Sequence, residues 1–169
     1  MKNIIFWDTE FSSLNPYKGE LLSIGMVKPN GEELYFELKP QGTLDPWVKK
    51  NVLPLLSDKK ISRKEAIKRI KAFCGKGHPH LLAYVNTFDA SYLYKLLGTK
   101  ETTKNYPFHW IHYDFATMLA AKGYDPECLT SKKLGAFAKK IGVDTSWRRT
   151  HHALDDAKLV KMVYEKIME

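Results

Sequence analysis

The run Ile4-Ile5-Phe6-Trp7, followed at once by Asp8-Thr9-Glu10, places the tightest constraint on this chain. Continuously apolar residues suit a strand covered on both faces, because alternate side chains of a strand point to opposite sides. The same alternation turns Asp8 and Glu10 to one face and Thr9 to the other. Two carboxylates side by side beyond an apolar run repel each other and resist desolvation, and a divalent cation is the simplest remedy. Taken alone, an Asp-x-Glu is most simply a polar strand end.

The remaining pattern supplies the layers that such a strand needs. Leu21 to Val27 and Leu34 to Leu38 flank Lys28-Pro29-Asn30-Gly31, whose turn chemistry predicts a hairpin. Pro40 to Pro54 is expected to hold short helical or irregular structure. Ser62-Arg63-Lys64-Glu65 fits a capping box ahead of the stripe Ala66, Ile67, Ile70 and Phe73, which ends at Gly75. His80 to Val85 reads as a fourth strand, Asp89 to Leu97 as a helix stopped at Gly98, and Phe108 to Tyr113 as a fifth strand. Helices are predicted from about Phe115 to Lys122, after a cap at Thr130 or Ser131 through Ile141, and from about His152 to Met168. A meander followed by alternating strands and helices implies an α/β domain, a mixed five-stranded sheet flanked by helices. At 169 residues the chain suits one compact domain spanning 1–169.

Three further positions carry candidate chemistry. Asp89 opens its helix and shares a face with Leu93, Leu96 and Leu97, so it is either an N-cap or an acid turned inward. In the last helix Asp156 lies at the edge of the stripe Ala153, Ala157, Val160, Tyr164 and Ile167, where it needs a partner, an arginine or a metal. Its neighbour Asp155 is expected to be a solvated first-turn acid. His151 and His152 precede this helix, and one imidazole could reach Asp156. Strand-end and helix-start acids can converge on one end of a sheet.

Composition narrows the partners. Lysine and arginine number 27 against 19 acids, a net charge of +8 and a pI near 9.3, which favours a polyanion. Nowhere is there a run of about 18 apolar residues, so no membrane span is expected. The first residues read as a strand rather than a signal peptide. Cys74 and Cys128 are too few for a disulfide framework and are expected to be structural, which makes the cytoplasm the expected location.

Asp8-Thr9-Glu10, the Phe88-Asp89 pair opening a helix, and His151-His152-Ala153-Leu154-Asp155-Asp156-Ala157 together resemble the three exonuclease motifs of the DEDDh, or DnaQ-like, family. The H-x4-D element matches His151 and Asp156, leaving His152 and Asp155 as variable positions. A narrower resemblance, to polyadenylate-specific exoribonucleases of the RNase AS type, rests on Asp8-Thr9-Glu10-Phe11, on Glu20-Leu21-Leu22-Ser23-Ile24-Gly25 and on Trp47-Val48-Lys49-Lys50-Asn51-Val52-Leu53-Pro54. In the segment Tyr84-Val85-Asn86-Thr87-Phe88-Asp89 the chain departs from the wider DnaQ-like pattern, where an Asn usually stands one position earlier.

What the resemblance implies is an RNase H-like fold and a 3′-5′ exonuclease of single-stranded nucleic acid, RNA favoured over DNA, releasing 5′-mononucleotides. Asp8, Glu10, Asp89 and Asp156 would hold two Mg²⁺ or Mn²⁺ ions, and hard oxygen ligands suit those metals. His151 would be the general base. Thr9 (through its backbone), Phe11 and Phe88 would line the terminal nucleotide, with Trp47 and Asn51 placed as a wedge. Arg148 and Arg149 could contact phosphate. Lys132, Lys133, Lys139 and Lys140 read as a solvent-facing surface. RNase AS-like enzymes are generally dimers, and Trp110 or Trp147 could serve a homodimer interface. A DNA exonuclease of the same fold, and a non-catalytic nucleic-acid-binding module, are the competing readings.

Overall fold

The computed structural model describes residues 3–40, 42 and 44–168. Met1, Lys2, Gln41, Thr43 and Glu169 lie outside the described residues, so the leading edge of the first predicted strand and part of the Pro40 to Pro54 segment are not covered. Strands β1 (Ile4–Phe11), β2 (Leu21–Val27) and β3 (Glu33–Leu38) form the expected meander. Helix α1 (Pro46–Asn51) and a short 3-10 turn follow, then the two-residue strand β4 (Lys60–Ile61) and helix α2 (Arg63–Cys74). Strand β5 (His80–Ala83), helix α3 (Thr87–Thr103), strand β6 (Tyr113–Asp114) and helices α4 (Phe115–Ala121), α5 (Leu134–Ile141) and α6 (Ala153–Met168) complete the chain.

The sheet has the order β4-β3-β2-β1-β5-β6. β1 runs antiparallel to β2, and β2 to β3, whereas β5 lies parallel to β1 and β6 parallel to β5. It is an α/β fold with a mixed sheet between helical layers, as expected, but with six strands rather than five. The additional strand β4 is two residues long, too short to carry any alternation in sequence. β6 likewise covers only Tyr113–Asp114, and the expected strand from Phe108 is otherwise irregular.

Both faces of β1 are buried, as its apolar run requires. Ile5 and Trp7 pack with Ile70, Phe73, Tyr92 and Leu93 of α2 and α3. Ile4 and Phe6 pack on the opposite face with Phe115, Phe137, Val160 and Val163 of α4, α5 and α6. Ser62 caps α2, its hydroxyl accepting the Glu65 N–H. The reciprocal half of the capping box is missing because Glu65 pairs with Arg69 instead.

Other expected helix boundaries shift. α3 starts two residues before Asp89, with Asn86 at its N-cap, and it does not end at Gly98. Gly98 adopts φ 73°, a left-handed conformation open to glycine, and the chain resumes helical geometry beyond the kink. Neither Thr130 nor Ser131 caps α5. Lys133 occupies that position without a side-chain cap, and the Thr130 carbonyl takes the N–H groups of Lys133 and Leu134. Cys74 and Cys128 are free and buried, and burial pushes the Cys128 thiol up to about 11. Among the described residues no helix is long and apolar enough to cross a membrane.

Candidate active site

The end of β1 makes a cleft because its neighbour stops early. β5 pairs with β1 only from Ile4 to Phe6 and breaks after Ala83, where the chain turns through Val85 at φ 57°. This leaves the β1 edge open beyond Phe6, and the first turn of α3 fills it. The Asp89 carboxylate accepts the Thr9 N–H at 2.8 Å and the Thr9 hydroxyl at 2.7 Å, both on Oδ1. Thr9, pointing away from Asp8 and Glu10, thus locks Asp89 to the strand that carries them. Asp114, not singled out in the sequence, supports this corner from β6. One of its oxygens accepts the Asn86 N–H at 2.8 Å, and the other caps α4 at Thr117. The Asp114-x-x-Thr117 spacing is an N-cap signature that could have flagged it.

From the opposite side, α6 lies directly on β2. A Cβ placed on Gly25 would collide with the backbone of Ala153 and Leu154, so only glycine allows this approach. Gly25 pairs with Asp8 across the β1–β2 ladder, and the contact therefore sets the start of α6 against the acid pair. His151, immediately before this helix, has φ 65° and stands edge-on to Trp47 at 4.8 Å. Ligand atoms of Glu10, His151 and Asp156 all lie within 4.8 Å of one another.

A cleft of about 540 Å³ opens at this point, lined among others by Asp8, Thr9, Glu10, Phe11, Trp47, Phe88, Asp89, His151 and Asp156. Nine of the ten candidate residues named from sequence therefore meet in one place. The exception is Asn51, at the C-terminal end of α1, which lies outside the cleft lining and donates to the Trp47 carbonyl at 2.8 Å. Thr9 reaches the cleft, yet its N–H and hydroxyl are both committed to Asp89. Phe11 stacks on Phe88 at 6.0 Å and on Tyr92 at 4.5 Å, and Trp47 stands exposed near His151.

Asp155 overturns its expectation. It is buried, not solvated, and accepts from Arg149 Nε and the Arg149 N–H, each at 2.9 Å, while His152 Nδ1 lies 3.3 Å away. His152 is buried too, stacked on Tyr35 at 4.6 Å. The two residues read as variable positions therefore anchor the loop that presents His151. Arg148 is paired with Asp156. Both arginines read as candidate phosphate contacts are thus engaged by acids of α6. Sequence reasoning missed the arrangement because a loop arginine carries no periodic signal.

The electrostatics follow from crowding. Burial, then Asp89, Asp156 and Glu10, push the Asp8 carboxyl well above its ordinary value. Burial, then Asp156 and Asp89, push Glu10 up to about 8. Asp89 rises to about 7, mainly through burial and against its Thr9 hydrogen bonds, and burial raises Asp156 against the pull of Arg148. Burial also lowers the His151 imidazole, leaving it neutral near pH 7. Four converging carboxylates face one guanidinium, a deficit of positive charge that divalent cations would offset. The donors are carboxylate oxygens with one imidazole nitrogen, a set suited to hard divalent ions. The residues fit such ions.

Residues 5–164 match the family model RNase_T, described as Exonuclease. The chain belongs to this exonuclease family. The DnaQ-like resemblance holds at that level. No curated protein sequence matches. In fold the exonuclease domain is similar to the zinc-bound E. coli exonuclease I–ssDNA complex (18% identity, TM-score 0.72, 99% of this chain and 40% of that one). It is also similar to exonuclease I from Methylocaldum szegediense (16% identity, TM-score 0.68, 98% and 41%). A third likeness is to E. coli exonuclease I in complex with a dA16 oligonucleotide (16% identity, TM-score 0.71, 99% and 41%). At these identities the likeness is one of fold, and the chain spans about two-fifths of the length of those proteins.

Proposed function

We propose that this protein is a divalent-metal-dependent 3′-5′ exonuclease that releases 5′-mononucleotides from single-stranded nucleic acid, with RNA favoured and a 3′ tail such as poly(A) its natural substrate. The observation that carries this reading is the convergence of Asp8, Glu10, Asp89, Asp156 and His151 on one open cleft.

Asp8, Glu10, Asp89 and Asp156 would hold two Mg²⁺ or Mn²⁺ ions, which supply Lewis-acid stabilisation of charge on the scissile phosphate. The protein's own groups do the rest. Thr9 fixes Asp89 in orientation. His151, neutral near pH 7 and held beside Asp156, takes the proton of the attacking water. Phe11 and Phe88 offer stacked rings on one side of the cleft and Trp47 an exposed ring near His151, surfaces on which terminal bases can stack.

Purified protein should degrade a 3′-extended oligonucleotide in Mg²⁺ and stop in EDTA, and Asp156→Ala should keep the fold while losing turnover. Activity that survives EDTA or Asp156→Ala would remove the reading. A DNA substrate is favoured by one observation, that structures of similar fold hold ssDNA. Parallel digestion of matched RNA and DNA strands separates the two, because discrimination rests on contacts to the 2′-hydroxyl and not on the acid cluster.

A further inference from the structure

A second cavity, of about 450 Å³, adjoins the cleft and is lined by Lys39, Lys60, Arg63 and Lys95, with Glu20 its one acid. Tyr92 also lines it, and the Tyr92 ring stacks on Phe11 at 4.5 Å and 9°. Because Phe11 lines the cleft itself, the two cavities share a wall one pair of stacked rings thick. That wall is tied in place. The Ser12 N–H donates to the Glu20 carbonyl and the Glu20 N–H to the Ser12 hydroxyl, each at 2.9 Å, and the Tyr92 hydroxyl donates to the Ser13 carbonyl.

The four cations are not equivalent. Lys60 is paired with Glu37 at 2.5 Å and Lys95 with Glu20 at 2.9 Å. No carboxylate among the described residues pairs with Lys39 or Arg63. Arg63 gives one Nη2 hydrogen bond to the Lys95 carbonyl at 2.6 Å, and the remainder of its fork is open. Two uncompensated cations thus stand directly beside a cleft lined by the five acids Asp8, Glu10, Asp45, Asp89 and Asp156. A polyanion approaching those acids is repelled, so a strand that delivers its end there needs positive potential on the flank.

We propose that this basic cavity holds the phosphodiester backbone upstream of the terminal nucleotide, with Lys39 as a point charge and Arg63 as a planar fork on phosphate oxygens. The inference rests on the nuclease reading of the cleft. It makes the two cavities one substrate path, parted by the Phe11–Tyr92 stack.

The test is equilibrium binding of a 5′-fluorescein single strand of about 12 nucleotides by anisotropy, in EDTA so that nothing turns over, from about 50 to 200 mM NaCl. The double variant Lys39→Gln/Arg63→Gln is compared with Lys132→Gln/Lys140→Gln, which removes the same charge from the exposed surface around α5. The first should weaken binding on the order of tenfold and flatten the slope of log K against log salt by about 1.4, or about 0.7 for each phosphate released. The second should bind like the parent protein. Equal affinity and equal slope for the two variants would overturn the proposal. Turnover of a trinucleotide in Mg²⁺ is scored separately, so a cleft that is not a nuclease is told apart from a cavity that holds no strand.

Discussion

Replacing Glu10 by glutamine should stabilise the metal-free protein at alkaline pH while abolishing its response to divalent ions. In the folded state the Glu10 carboxyl is pushed from an ordinary 4.5 up to about 8. At 1.36 kcal/mol per unit, ionising this buried group opposes folding by a ceiling of about 5 kcal/mol. The amide that replaces it still needs hydrogen-bond partners, which returns roughly 1–3 kcal/mol and leaves a net gain near 3 kcal/mol. For a chain of this size that is about 6–12 °C in Tm. The sign follows from linkage. An acid whose folded value is raised contributes its stability fully below about 4.5 and loses it as pH climbs through about 8. Glu10→Gln should therefore melt above the parent in EDTA at about pH 8, and the gap should close as pH falls toward 4.5. Adding Mg²⁺ should reverse the order, since a site filled at about 100 times Kd stabilises by about 2.7 kcal/mol and the variant has lost a ligand. Thermal melts across that pH range, with and without Mg²⁺, measure every term. A variant that melts below the parent in EDTA at pH 8, or a gap that widens toward acid, would refute the reasoning.

His151→Ala should cut kcat at least about a hundredfold while preserving the Mg²⁺-induced rise in Tm, which separates a proton acceptor from a metal ligand. Gly25→Ala drives a methyl group into the backbone of Ala153 and Leu154, and overpacking of this kind costs about 1–3 kcal/mol. Its urea midpoint should fall, and kcat should fall with it as the start of α6 moves off the sheet. Asp155→Ala removes the acceptor shared by Arg149 and His152 and should cost about 1–3 kcal/mol, with turnover lowered through the His151 loop. Asp155→Asn, which can still accept from Arg149, should recover part of the loss in the same urea titration.

The acid cluster was legible because each member sits where a local rule applies. Asp8 and Glu10 follow from strand alternation, Asp89 from its place at a helix start, and Asp156 from the edge of an apolar stripe. The three-motif resemblance then joined them, which periodicity alone could not do. Asp155 was misread because the helix pattern fixes its angle on α6 but not what the preceding loop brings against it. Asn51 was placed near the substrate by resemblance, whereas the geometry of α1 directs its amide to Trp47.

By itself the amino-acid order determined the double-faced burial of β1, the hairpin that follows it and the apolar stripe of α6. Those features depend on residues close together in the chain, where periods of 2 and 3.6 are read directly. Tertiary structure alone decided the β4 and β6 pairings, the contact of α6 with Gly25, the burial of Asp155 and His152, and the basic cavity beside the cleft. Each of these depends on which distant segment arrives opposite. A two-residue strand, a glycine or an isolated lysine carries no mark of its partner until the sheet has closed.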